Sequence, residues 1–185
     1  DCLLSRGLGD VYKRQEIPIS EDYMRHAREK ASSVGILQGS ITGGTSNVVG
    51  AIGEVIVADI IGATEVNTVN YDLVKDGNRI DVKTKRCNTR PQPNYDCSVA
   101  SHGTKQDCDS YVFVRILTDL SKAWILGSIS KQEYYAEATR YKKGQVDPSN
   151  GFTFRTDCYN LPISKLEPIN EIKSESETIL TSSVS

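Results

Sequence analysis

Asp72, Asp81 and Lys83 are the residues of this chain whose types and spacing could do chemistry. They flank Asp76-Gly77, a strong two-residue hairpin turn signal. The runs on either side, residues 69–74 and 79–85, are rich in the β-branched and apolar side chains that strands favour. A two-residue loop pairs Lys75 with Asn78 and Val74 with Arg79, and so carries Asp72 opposite Asp81. A symmetric four-residue loop gives the same register; a three-residue loop does not. Directly opposed side chains sit roughly 5 Å apart at Cβ, and like charges there repel. A divalent cation is the simplest group to offset that repulsion. Strand alternation puts Lys83 on the face of Asp81 and turns Ile80, Val82 and Thr84 to the other. Two carboxylates beside a lysine on one sheet face suit metal-assisted hydrolysis.

The element that must stand behind this hairpin is a helix over residues 46–62. Thr45 or Ser46 offers an N-cap and Gly62 a C-terminal stop. Apolar residues occupy nearly every side of it, which predicts a mostly buried helix. Glu54 lies in its middle, where an unpaired carboxylate is costly. It must therefore meet a neighbouring Lys or Arg, sit at an exposed edge of the apolar stripe, or bind a metal. Gly50 and Gly53 each cost roughly 1 kcal/mol in a helix relative to alanine, which points to close approach of another backbone.

Asp72 followed by Asp81-Val82-Lys83 resembles the PD-(D/E)xK nuclease signature, a first acid, a turn, then acid-x-lysine on the next strand. Tyr71 stands where the family name has proline. The Glu54 helix also resembles the family, whose members often draw a further glutamate from the helix before the hairpin. The resemblance covers residues 46–117 with some specificity and the remainder in outline, and is to small phage or bacterial endonucleases. It implies an α+β mixed sheet, a restriction-endonuclease-like αβββαβ core with flanking helices. It further implies Mg²⁺-dependent hydrolysis of DNA phosphodiester bonds, with Mn²⁺ able to substitute. Asp72, Asp81 and the main-chain carbonyl of Val82 are then the expected metal ligands. Glu54 would reach the same ion, or a second ion or its water. Lys83 would orient or deprotonate the attacking water, or simply pair with the aspartates, and Lys85 and Arg86 would contact DNA phosphates. Two other classes compete, a noncatalytic DNA-binding module that kept the fold and a metal hydrolase of another phosphoester. The complete set Glu54, Asp72, Asp81 and Lys83 weighs against the first; the modest net charge keeps the second open. A nuclease this small could act as a homodimer to cut both strands.

The 185 residues are enough for one domain with a real core. The formal charge of −2 gives no general attraction to nucleic acid. Residues 75–90, however, carry Lys75, Arg79, Lys83, Lys85, Arg86 and Arg90 against Asp76 and Asp81, a local +4 where phosphate would approach. The same charges would also serve a solvated hairpin edge. No apolar run reaches membrane-spanning length, so no membrane partner is expected. The five cysteines, Cys2, Cys87, Cys97, Cys108 and Cys158, form an odd set with no clear secretory signal, which favours reduced thiols in the cytoplasm of a bacterial or phage-infected cell. Cys87, Cys97, His102 and Cys108 lack any C-x-x-C pair, so buried thiols explain them better than zinc. Residues 5–15 match a translated transposon-end sequencing adapter. Residues 1–15 are therefore expected to be foreign, with one nuclease-like domain over 16–168 and a flexible polar tail over 169–185.

The remaining elements follow from periodicity and turn residues. Ser20 caps a helix over 21–33, with His26 on its surface. A glycine-rich loop over 36–45 could border the cleft. Strands are expected at 95–101, 111–117, 123–129 and 152–155, with a helical turn within 102–109 and an edge element over 159–166. Trp124 should pack on the sheet. A helix starts at Ser130 or Lys131 and runs through Thr139, and 147–151 form a turn. His102, Lys105 and Gln106 lie where the chain could approach the acids.

Overall fold

A computed structural model of the chain describes residues 15–33, 45–66, 68–148 and 151–169. The first fourteen residues, most of the glycine-rich loop and the tail from residue 170 lie outside the described residues.

The hairpin forms where the turn residues demand. Strands β3 (Leu73–Lys75) and β4 (Asn78–Cys87) pair in the expected register, Lys75 with Asn78, Val74 with Arg79 and Leu73 with Ile80. Asp76 and Gly77 both have positive φ, 49° and 83°, which is what a twist-matched two-residue turn requires. β3 is shorter than its sequence suggests, since Val69 is 85% exposed and the ladder begins only at Leu73. A short strand β2 (Thr64–Glu65), too brief to read from sequence, pairs with the outer side of β3.

Helix α1 spans Glu21–Ser33, and the Ser20 hydroxyl accepts from the Tyr23 N–H at 3.2 Å. Helix α2 spans Thr45–Ile61 and is the buried helix its all-round apolar surface predicts, with Val49, Ala51, Ile52 and the 55–58 run all buried. At Gly62 the Ala63 N–H reaches back to the Ala58 carbonyl at 2.9 Å and the Gly62 N–H to Asp59 at 3.4 Å, a paired-bond C-terminal cap. Gly53 is the point where α2 touches the sheet. A Cβ there would stand 2.0 Å from Thr84 Oγ1 of β4, so only glycine permits this approach.

The main sheet runs β1 (Gln15–Pro18), β7 (Lys122–Ser130), β6 (Ser110–Leu117), β4, β3, β2. Its one parallel pair among the described residues is β4–β6; the rest are antiparallel. The mixed α+β architecture expected from the sequence is what the chain adopts. The expected strand at 95–101 forms, as β5 (Asp96–Ala100), but leaves the main sheet. It joins β9 (Cys158–Pro162) and β8 (Thr139–Tyr141) in a second, antiparallel sheet ordered β5-β9-β8. The three-strand run after α2 is therefore β2-β3-β4, and β5 with the 3-10 turn Ser101–Lys105 carries the chain across to parallel β6.

Three further expectations are corrected. The element at 159–166 is central in the second sheet rather than an edge, because β8 and β5 both pair with β9. Of the strand expected at 152–155, only a single bridge of Thr153 with Val146 is seen. Helix α3 (Lys131–Glu137), capped by the Ser130 hydroxyl, stops two residues early because Thr139 begins β8.

The sheet thus separates two cores. Val82, Val112, Val114, Ile116 and Ile125 face α1 and α2, whereas Tyr111, Phe113, Trp124 and Leu126 face the second sheet and α3. Among the described residues no helix is long and apolar enough to cross a membrane.

Candidate active site

β4 is flanked by β6 over its length but by β3 only for Asn78–Ile80. Among the described residues the β3 side of β4 is an open edge beyond Ile80, and the candidate residues gather at this opening.

Asp72 marks the point where β3 leaves the ladder. Its N–H donates to the Ile80 carbonyl at 2.9 Å, and its carboxylate, instead of the next main-chain carbonyl, accepts from the Val82 N–H at 2.7 Å. The strict opposition to Asp81 is therefore replaced by a local slip, which keeps the Asp72 carboxylate clamped against β4 and within hydrogen-bonding reach of the Asp81 carboxyl. Burial, then the charges of Glu54 and Asp81, push Asp72 up to about 8, with the Val82 N–H pulling the other way. Burial and the two neighbouring carboxylates thus favour its neutral form over the ionised one.

Asp81 is 4% exposed, and its Oδ2 lies 2.5 Å from Lys83 Nζ, as strand alternation requires of residues i and i+2. Despite that charge pairing, Oδ2 has no aligned hydrogen-bond donor. Gln106, just after the 3-10 turn, closes the other side. Its amide oxygen accepts from Lys83 Nζ at 3.0 Å, and its amide nitrogen donates to Asp81 Oδ1 at 3.4 Å. Lys131 of α3 donates to the Gln106 carbonyl and so fixes that loop. Of the three residues expected near the acids, only Gln106 makes these contacts; His102 and Lys105 are exposed.

Glu54 approaches from the α2 side. Its Oε2 is held by Lys30 of α1 at 2.8 Å, the ion-pair alternative open for a buried helical glutamate. Lys30 also pairs with Glu65 at 2.7 Å, and His26 lies 3.1 Å from the other Glu65 oxygen. Burial alone would lower the Lys30 ammonium, but the two carboxylates outweigh it and hold its pKa above the ordinary lysine value. Tyr23 donates to Asp59 at 2.5 Å, a second tie between α1 and α2.

A cleft of about 320 Å³ wraps around the open edge of β4, from Gly50 of α2 past Lys83 and Lys85 to Ser98 of β5 and Arg115 of β6. Lys85 lines it. Arg86, the next residue, turns to the opposite face and is exposed. Two members of the basic run serve the fold instead. Arg79 pairs with Asp109 at 2.6 Å and Asp107 at 2.5 Å, and Lys75 donates to the Ile61 carbonyl at 2.6 Å. Arg115 lies within the run Tyr-Val-Phe-Val-Arg-Ile-Leu, which reads as one strand with no motif to mark its arginine as part of a site. Cys97, Cys108 and Cys158 are buried and Cys87 half-buried. Burial and then the Asp81 charge push the Cys108 thiol up to about 11, which leaves it a poor nucleophile.

Among the described residues no three His, Cys, Asp or Glu side chains are gathered closely enough to hold a metal ion as they stand. Mg²⁺, however, is usually bound by one or two carboxylates together with waters and substrate phosphate. Asp72 and Asp81 meet that requirement in number and in donor type. Asp72 is raised by the charges of Glu54 and Asp81 although Lys83 pairs with Asp81 and Lys30 with Glu54, and added positive charge would relieve that repulsion. The residues fit a hard divalent cation. No protein-family model matches the chain, and no curated protein matches it in sequence.

Proposed function

We propose that this chain is a metal-dependent nuclease that hydrolyses phosphodiester bonds of DNA at the open edge of β4. The observation that carries the proposal is the Asp72 carboxyl, clamped on the Val82 N–H and pushed up to about 8 beside Asp81 and Glu54. The helix, three-strand run and parallel strand formed by α2, β2-β3-β4 and β6 support the αβββαβ resemblance, with β5 and a 3-10 turn in place of its second helix.

Asp72 and Asp81 would hold the cation, with the Val82 carbonyl as a further ligand. A strand residue presents its N–H and carbonyl to the same side, and the Val82 N–H already points to Asp72. When bound, Mg²⁺ would neutralise phosphate charge and lower the pKa of a bound water. Lys83 is positioned by Asp81 and Gln106 to orient the attacking water and to stabilise charge developing on the phosphoryl oxygens. Glu54, tied to Lys30, sets the negative potential behind Asp72 and so favours the cation. Lys85 and Arg115 supply the positive wall along which a phosphate backbone would lie.

The test is incubation of the purified chain with supercoiled, linear, single-stranded and branched DNA, in Mg²⁺ or in EDTA. Nicking that needs Mg²⁺ and disappears in Lys83→Ala, with folding retained, is expected. No cleavage of any substrate, or full activity in Lys83→Ala, would overturn the proposal.

A further inference from the structure

Lys85 and Arg115 stand directly opposite one another across the parallel β4–β6 pair. Opposed like charges destabilise a sheet, and one member of this pair is buried. Arg115 is 8% exposed, and both residues line the cleft. Lys85 itself is exposed, yet desolvation, then the charge of Arg115, holds its ammonium below the ordinary lysine range. The carboxylate that faces them is Asp96, which Asn160 also engages at 3.2 Å. Burial, then Asp147, raises Asp96 above the ordinary carboxylate range, with Asn160, Lys85 and Arg115 pulling the other way. One Arg115 nitrogen donates to the Asp96 carbonyl at 2.6 Å. That bond anchors a planar fork of five N–H donors, the geometry that matches phosphate.

The position of the pair along β4 matters as much as its charge. Lys85 is two residues beyond Lys83 on the same face, a step of about 6.6 Å. That is comparable with the separation of consecutive phosphates along a polynucleotide backbone. We propose that Lys85 and Arg115 form a phosphate subsite that receives the phosphate neighbouring the one attacked. Resting on the nuclease reading, this makes the substrate a chain with consecutive phosphates rather than a phosphomonoester or an isolated phosphodiester.

Two measurements test this. Inorganic pyrophosphate is titrated calorimetrically, in EDTA, into the full chain and into Lys85→Gln, Arg115→Gln and Asp72→Asn. Wild type and Asp72→Asn should bind, and Lys85→Gln should bind at least tenfold more weakly. Lys85→Gln is the deciding variant, since Arg115 is buried and its replacement could disturb folding. Equal affinity of wild type and Lys85→Gln would overturn the subsite. In the second measurement, one neutral methylphosphonate linkage is placed beside the scissile bond of an oligonucleotide. Cleavage should fall at least tenfold in wild type, with little further effect in Lys85→Gln. If no DNA is cut while pyrophosphate binding still depends on Lys85, the hydrolytic reading falls and the subsite stands. If DNA is cut and neither measurement responds to Lys85→Gln, the subsite alone falls.

Discussion

Replacing Asp72 by asparagine separates the electrostatics of the site from its chemistry. Asparagine keeps an oxygen to accept from the Val82 N–H but cannot ionise beside Glu54 and Asp81. In the native chain Asp72 holds its proton up to about 8, whereas the unfolded chain releases it near the ordinary aspartate value of 3.8. Between those values the native state binds more protons than the unfolded state, so stability falls as pH rises and the loss is complete above about pH 8. The rise from 3.8 to about 8 sets a ceiling of about 5–6 kcal/mol. Of that ceiling about 1–2 kcal/mol is lost by pH 5 and the remainder between pH 5 and about pH 8. Asp72→Asn should therefore gain on the wild type between pH 5 and pH 9, by at most about 4 kcal/mol. For 2 kcal/mol in a chain of this size, the difference in melting temperature is about 4–8 °C. Thermal unfolding at pH 5, 7 and 9 measures it, and other titrating groups cancel in the difference between variants. Mg²⁺ should narrow the gap at pH 9 by stabilising the wild type, with no gain for Asp72→Asn. Parallel melting curves from pH 5 to pH 9 would refute the claim that these carboxylates are electrostatically stacked.

Gly53→Ala should destabilise by about 2–3 kcal/mol despite gaining about 1 kcal/mol in helix propensity, because its Cβ would lie 2.0 Å from Thr84 Oγ1. Thr84→Ala in the same chain should recover more than half of that loss in urea unfolding; simple additivity would contradict the close contact. Lys30→Met leaves Glu54 and Glu65 without their shared cation and should cost about 2–3 kcal/mol in guanidinium unfolding. Adding Glu54→Gln should recover part of that cost, and its failure to do so would mean the pair is only incidental.

The hairpin was legible in the sequence for local reasons. Asp76-Gly77 admits positive φ at both turn positions, which sets the β3–β4 register, and strand alternation then places Asp81 and Lys83 together. α1, α2, their termini and the apolar strands at 111–117 and 123–129 were readable from the same kind of short-range periodicity. Tertiary structure decided the rest. Where β3 ends depends on Asp72 exchanging a main-chain acceptor for its own carboxylate, which no pattern of residue types encodes. That Glu54 meets Lys30, that β5 departs to a second sheet and that β9 lies at its centre depend on partners distant in sequence. So does the opposition of Lys85 and Arg115, thirty residues apart, which exists only because β4 and β6 run parallel in that register. The sequence by itself determined the acids, the lysine and the turn that brings them together. Only the packing of α2, the end of β3 and the β4–β6 register turned them into a buried acidic pair at the mouth of a cationic cleft, because charge and burial are properties of neighbours rather than of residues.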